Sequence, residues 1–171
     1  MSRIFMMLFA AAGLMSSSAG AAMDKDAFKA TRDRIETTYR SDKAQCASLQ
    51  GNSRDVCEAE AKAKRKIEKA EAEADFRNTT KARTHAIVAR ADAEYSVAKK
   101  KCDDLSGTEK VVCVTKAKAA RVRAKADARS KQEVIRKRDA DYKIALERCD
   151  SMSSPAKDRC MKNAKARLGK S

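Results

Sequence analysis

Six cysteines and three tyrosines are the residues of this chain best able to do side-chain chemistry, and they fall into one pattern used three times. Each copy has a tyrosine, a cysteine seven positions later and a second cysteine eleven positions beyond that: Tyr39, Cys46, Cys57; Tyr95, Cys102, Cys113; Tyr142, Cys149, Cys160. Cysteines can close disulfides, hold a metal or exchange electrons, and spacing separates these roles. Zinc sites need close pairs such as C-x-x-C, or histidines at matching intervals. Here every gap within a copy is C-x10-C, and His85 is the only histidine. No C-x-x-C redox motif occurs either. Six cysteines leave the connectivity open in principle, but the repetition favours local closure: Cys46 to Cys57, Cys102 to Cys113 and Cys149 to Cys160. Neither a metal nor another cofactor is expected.

Disulfides need an oxidising compartment, and the first residues supply a route to one. Residues 1–22 read as a secretory signal peptide: Arg3, an apolar run over 4–15, then small residues in which Ala19-Gly20-Ala21 fits the A-x-A cleavage rule. Cleavage is expected after Ala21 or Ala22, leaving residues 23–171 as one helical repeat domain in the periplasm or outside the cell. The apolar run is too short to span a bilayer, and nothing later resembles a membrane span.

The elements that must position the cysteines follow from composition. Tryptophan is absent, aromatics make up 4% and charged residues 37% of the chain. Much of the apolar content is alanine, and there is a single proline, Pro155. This is the composition of long helices or coiled coils. Ahead of each first cysteine runs a stripe at steps of three and four: Phe28, Arg32, Ile35, Tyr39, Asp42, Cys46; Val88, Ala91, Tyr95, Ala98, Cys102; Ile135, Arg138, Tyr142, Ala145, Cys149. Such spacing puts tyrosine and cysteine on one helix face. The polar members Arg32, Asp42 and Arg138 predict a loose seam.

Between paired cysteines lie helix stop and start signals. Gly51 and Gly107 suit the end of one helix. Asn52 or Ser53, Thr108 (or Ser106 with Glu109) and Ser154 suit the start of the next, with Pro155 at its first position. The fold expected is therefore all-α: long antiparallel helices forming three elongated, disulfide-stapled hairpins, with turns near 46–57, 102–113 and 149–160. Residues 53–106 and 108–151 read as rods on the order of 65 to 80 Å long, with weak points at Asn78-Thr79-Thr80 and Ser130. Four segments follow, short, long, long, short, with the first and third turns at one end and the second protruding as an arm.

Catalysis has no foothold in this pattern. Nucleophilic schemes need a base beside the nucleophile, and His85 stands alone in a charged helical stretch. The carboxylates alternate with Lys and Arg, as on the solvated face of a helix braced by i,i+4 pairs. No phosphate-binding glycine motif occurs. An enzyme is not expected. The tyrosines, two turns from each disulfide, suit packing across the hairpin better than a ligand platform.

Charge is the feature that points to function. Residues 110–138 hold eleven basic side chains, Lys110 and the ten candidates Lys116, Lys118, Arg121, Arg123, Lys125, Arg129, Lys131, Arg136, Lys137 and Arg138, against Asp127 and Glu133. Residues 155–171 add six more against Asp158. Attraction to a polyanion is the natural use of such an excess. The expected partners are anionic envelope components (anionic lipid, lipopolysaccharide, acidic polymer) or acidic proteins. Sequence-specific nucleic-acid reading is not expected, since no recognised motif and few stacking aromatics are present. Lys62, Lys64, Arg65 and Lys66 should matter less, because Glu58, Glu60, Glu68 and Glu71 offset them locally. The oligomeric state is not legible.

The leader, the Ala/Lys-rich helix over residues 59–74 and 117–128, and the repeated C-x10-C turns together resemble a group of small exported proteobacterial proteins labelled TolA-like cell-envelope proteins. The resemblance implies an all-α exported protein working non-enzymatically at the cell envelope. In size, basicity and long helices the chain is also similar to periplasmic holdase chaperones of the Skp type, which implies an alternative: helical arms that grip unfolded clients.

Overall fold

In the computed structural model, which describes residues 23–168, five helices lie side by side: α1 (Lys25–Gln45), α2 (Gly51–Arg77), α3 (Thr80–Cys102), α4 (Gly107–Asp150) and α5 (Ser154–Leu168). The expected leader lies outside the described residues. Among the described residues there is no strand, and the protein is all-α. Each helix packs only on its neighbours in sequence: α1 on α2, α2 on α3, α3 on α4, and α4 on α5. The result is a single layer of helices with two open faces.

Three disulfides staple this layer, each within one copy of the repeat: Cys46–Cys57, Cys102–Cys113 and Cys149–Cys160, with Cα separations of 5.6, 5.8 and 5.5 Å. Three such bonds fit a chain from an oxidising compartment. The turns they bracket share one backbone contact. The N–H of Leu49, Leu105 and Met152 donates to the carbonyl of Cys46, Cys102 and Cys149 at 3.1 Å in every case. After the first cysteine the chain makes a tight turn (a single 3-10 turn over Cys46–Ser48 in the first copy), extends briefly, and restarts.

The glycines do their work one step later than the sequence suggests. Gly51 and Gly107 open α2 and α4 instead of ending α1 and α3, and sit in the left-handed region at φ +57° and +51°. A Cβ at either would meet no atom, so the requirement for glycine is conformational, not steric. Ser106 precedes Gly107 without making a capping hydrogen bond through its side chain. In the third turn the cap falls on Ser153, whose carbonyl accepts from Ala156 and Lys157, one place before the expected Ser154.

The largest departure is at Asn78. The stretch 53–106 is not one rod but α2 and α3 folded back on each other. Asn78 adopts φ 48°, ψ 39°, and its N–H donates to the Ala74 carbonyl at 2.9 Å, which ends α2. Thr79 then caps α3, its hydroxyl oxygen accepting from the Ala82 N–H at 3.1 Å. Asparagine is one of the few residues that tolerate the left-handed conformation, so two adjacent residues reverse the chain without glycine or proline.

This reversal corrects the expected arrangement of turns. The first and second turns lie together: Asn52 Nδ2 donates to the Lys100 carbonyl at 3.1 Å, and Lys100 pairs with Asp55 at 2.9 Å. The third turn, not the second, protrudes. Helix α4 runs unbroken through Ser130 for 44 residues, a length of about 66 Å, and its far end with α5 forms the two-helix arm.

Alanine makes the core. Among the described residues, every buried apolar side chain is alanine except Ile35 and the three first cysteines. Ala70 and Ala74 of α2 meet Ala82, Ala86 and Ala89 of α3 in one cluster. Small side chains let the helices approach closely, but each buried methyl contributes only on the order of 0.8 kcal/mol. The disulfides, each constraining the unfolded chain by roughly 2 to 3 kcal/mol, weigh heavily beside so thin a core. At the other end of the first hairpin, Phe28 and Phe76 stack with centroids 4.4 Å apart, tying the start of α1 to the end of α2.

Candidate anion-binding surfaces

The basic segment of α4 divides into inward and outward groups. Arg121 and Lys125 face α3, where both donate to the Asp92 carboxylate, at 2.5 and 3.2 Å. The Arg121 guanidinium also lies 5.1 Å from the Tyr95 ring centroid. Burial works to raise the Asp92 carboxyl, but the hydrogen bonds from Arg121 and Lys125 outweigh it and hold the group below its ordinary range. These two cations are committed to holding α3 against α4.

The same brace appears in the first hairpin. Glu36 of α1 accepts from Arg65 and Lys69 of α2, at 3.0 and 2.9 Å, and the Arg65 guanidinium lies 4.7 Å from the Tyr39 ring centroid. Hydrogen bonds from Lys69 and then Arg65 hold the Glu36 carboxyl below its usual value. The signal for this brace is in the sequence. In both copies the acid stands ten before the first cysteine, the arginine eight and the lysine twelve after the second. The third copy keeps the acid and the ring as Asp139 and Tyr142, but has Leu168 at the arginine position. The tyrosines thus pack across the first two hairpins beneath guanidinium groups.

The remaining candidates, Lys116, Lys118, Arg123, Arg129, Lys131, Arg136, Lys137 and Arg138, are exposed. Arg136 pairs with Glu133 of its own helix at 2.7 Å. Helical periodicity sets Lys118, Arg129 and Arg136 along one side of α4, and Lys116 and Arg123 along another. Between these rows lie Ala119, Ala126 and the solvent-facing Val122, 58% exposed, while Val111, 65% exposed, continues the Lys118 row toward the start of the helix. Exposed apolar side chains flanked by long cationic ones suit a charged interface whose interior is apolar.

A second basic surface lies outside the basic segment of α4. On one face of the layer, α1, α2 and α3 form an open groove of about 610 Å³, whose lining includes Phe28, Val88 and Ala89, the cations Arg32, Lys62 and Lys66, His85, and the carboxylates Glu73 and Asp92. Lys62 pairs with Glu58 at 3.6 Å. Among the described residues no carboxylate pairs with Lys66 or Arg32; the Arg32 guanidinium instead sits 5.7 Å from the Phe28 ring centroid. The local offset expected for Lys62, Lys64, Arg65 and Lys66 is therefore uneven. Lys64 is taken by Asp42 at 2.9 Å and Arg65 by Glu36, while Lys66 has no such partner. His85 is an exposed residue on the groove wall. The groove could not be read from sequence because it depends on the reversal at Asn78, which brings α3 beside α2.

Among the described residues no helix is long and apolar enough to cross a membrane. Compared with protein-family models, curated proteins and solved structures, the chain matches none.

Proposed function

We propose that this is an exported, non-enzymatic protein of the cell envelope that binds polyanionic surfaces through α4, with residues 23–171 released into the periplasm or outside the cell by cleavage near Ala21 or Ala22. The observation that carries the reading is the pair of exposed cationic rows on α4, Lys118, Arg129 and Arg136 beside Lys116 and Arg123, with the exposed Val122 between them. A long unbroken helix presents these charges to an anionic surface together, and each cation held near such a surface contributes about 1 kcal/mol. Lysine and arginine stems can lie along the apolar boundary while Val111 and Val122 enter it.

The test is co-sedimentation of the oxidised chain, residues 23–171, with vesicles of anionic or zwitterionic lipid across a salt series. Binding should require the anionic lipid and weaken steeply as salt screens the charges. Exchanging Lys118, Arg123 and Arg129 for glutamine should weaken it on the order of a hundredfold, since each loss costs about 1 kcal/mol. The matched change of Lys62 and Lys64, which already have carboxylate partners, should matter far less. Equal effects of the two sets, or binding that persists at high salt, would remove this reading. Suppression of client aggregation by the same protein would then favour the holdase alternative.

A further inference from the structure

We infer that the groove between α1, α2 and α3 is a binding site for a long-chain carboxylate, a single-chain anionic amphiphile, independent of the surface on α4. Three features of the groove define the ligand. Its apolar lining comes from all three helices: Phe28 of α1, Ala70 of α2, and Val88 and Ala89 of α3. Its charged lining is mostly cationic: the carboxylates Glu73 and Asp92 are engaged by Arg77 and by Arg121 and Lys125, and two of the cations, Lys66 and Arg32, have no carboxylate partner among the described residues. Its volume of about 610 Å³ lies in the range of small-molecule sites, roughly 300 to 1,000 Å³.

Each feature excludes a different class. A free inorganic anion would use the cations and leave the apolar side chains wet. A neutral apolar molecule would leave Lys66 and Arg32 unanswered. A polyphosphate would bring many charges against the apolar side chains and the Glu73 and Asp92 carboxylates, where their desolvation goes uncompensated. A molecule with one anionic head and one apolar chain satisfies both parts. The head takes a charge-assisted hydrogen bond from Lys66 or Arg32. The chain lies on the Phe28 and Val88 surface, flanked by the methylene stems of Lys62 and Lys66. Arg32, stacked on Phe28, is held where the head would arrive.

The experiment uses the oxidised chain, residues 23–171, and measures binding of palmitate by calorimetry below its aggregation concentration, with hexadecanol and octanoate as comparisons. Palmitate is expected to bind saturably with one molecule per chain, and hexadecanol and octanoate each at least tenfold more weakly. K66Q combined with R32Q should weaken palmitate at least tenfold and leave hexadecanol unchanged. Both side chains are solvent-exposed, so helicity and melting should stay as in the parent. K118Q with R129Q on α4 should lower vesicle binding and leave palmitate binding intact. The proposal is overturned if palmitate does not bind, if hexadecanol or octanoate binds as well as palmitate, if the groove variant binds like the parent, or if the α4 variant abolishes palmitate binding.

Discussion

At the residue scale, the sharpest feature is a carboxylate shared between an arginine and a lysine of the next helix, with the arginine laid over a tyrosine ring. In the second hairpin Asp92 is half-buried and accepts from both Arg121 and Lys125. Hydrogen bonds to a charged partner are stronger than neutral ones, so R121Q should cost about 1 to 2 kcal/mol in thermal or denaturant unfolding. The pH dependence has a defined sign. Asp92 titrates lower in the folded chain than its ordinary 3.8, so its stabilisation is complete above that value and is lost as pH falls through the lower folded value. D92N should be less stable than the parent at neutral pH and should lose less additional stability on acidification. An unchanged acid limb in the variant would show that other carboxylates carry it. By sequence Arg121 and Lys125 group with the binding residues, because charge alone does not tell which helix face a cation occupies. The repeated offsets from the cysteines did carry that information, in the acid and the two cations that recur together.

At the element scale, hairpins and hinge differ in how plainly they were written. The hairpins were legible because a C-x10-C spacing across a helix stop leaves little freedom: two cysteines one turn either side of a tight reversal can reach each other. The hinge at Asn78 was visible only as a weak point, since no glycine, proline or cysteine marks it. What decides the outcome there is tertiary. Folding α3 onto α2 buries Ala70, Ala74, Ala82, Ala86 and Ala89, which a continuous rod would leave in water. The conformation at Asn78 makes this testable. N78V places a β-branched side chain at positive φ and should cost about 1 to 2 kcal/mol, whereas N78G should be tolerated. T79A removes the cap of α3 and should cost about 1 kcal/mol. If N78V unfolds like the parent, the left-handed residue is not what reverses the chain.

At the scale of the whole molecule, the single layer sets how stability is distributed. Because each helix packs only on its neighbours in sequence, the protein resembles a repeat array whose stability sums units and nearest-neighbour interfaces. The arm is the extreme case, since α5 has α4 alone to pack on, with Ala164 as its one buried residue. Its attachment should therefore depend on Cys149–Cys160 more than any other helix depends on its own disulfide. Replacing both cysteines by serine removes roughly 2 to 3 kcal/mol of constraint on the unfolded chain and should release α5 into fast hydrogen exchange. Protection in α2 and α3, which are held on both sides, should persist. Replacing Cys102 and Cys113 instead should loosen the junction of α3 and α4 and reduce protection on both sides of it. Scattering should report a radius of gyration well above the roughly 15 Å of a compact chain of this length for the parent. Loss of protection throughout the protein on removing Cys149–Cys160 would mean that the layer unfolds as one cooperative unit, against the nearest-neighbour architecture.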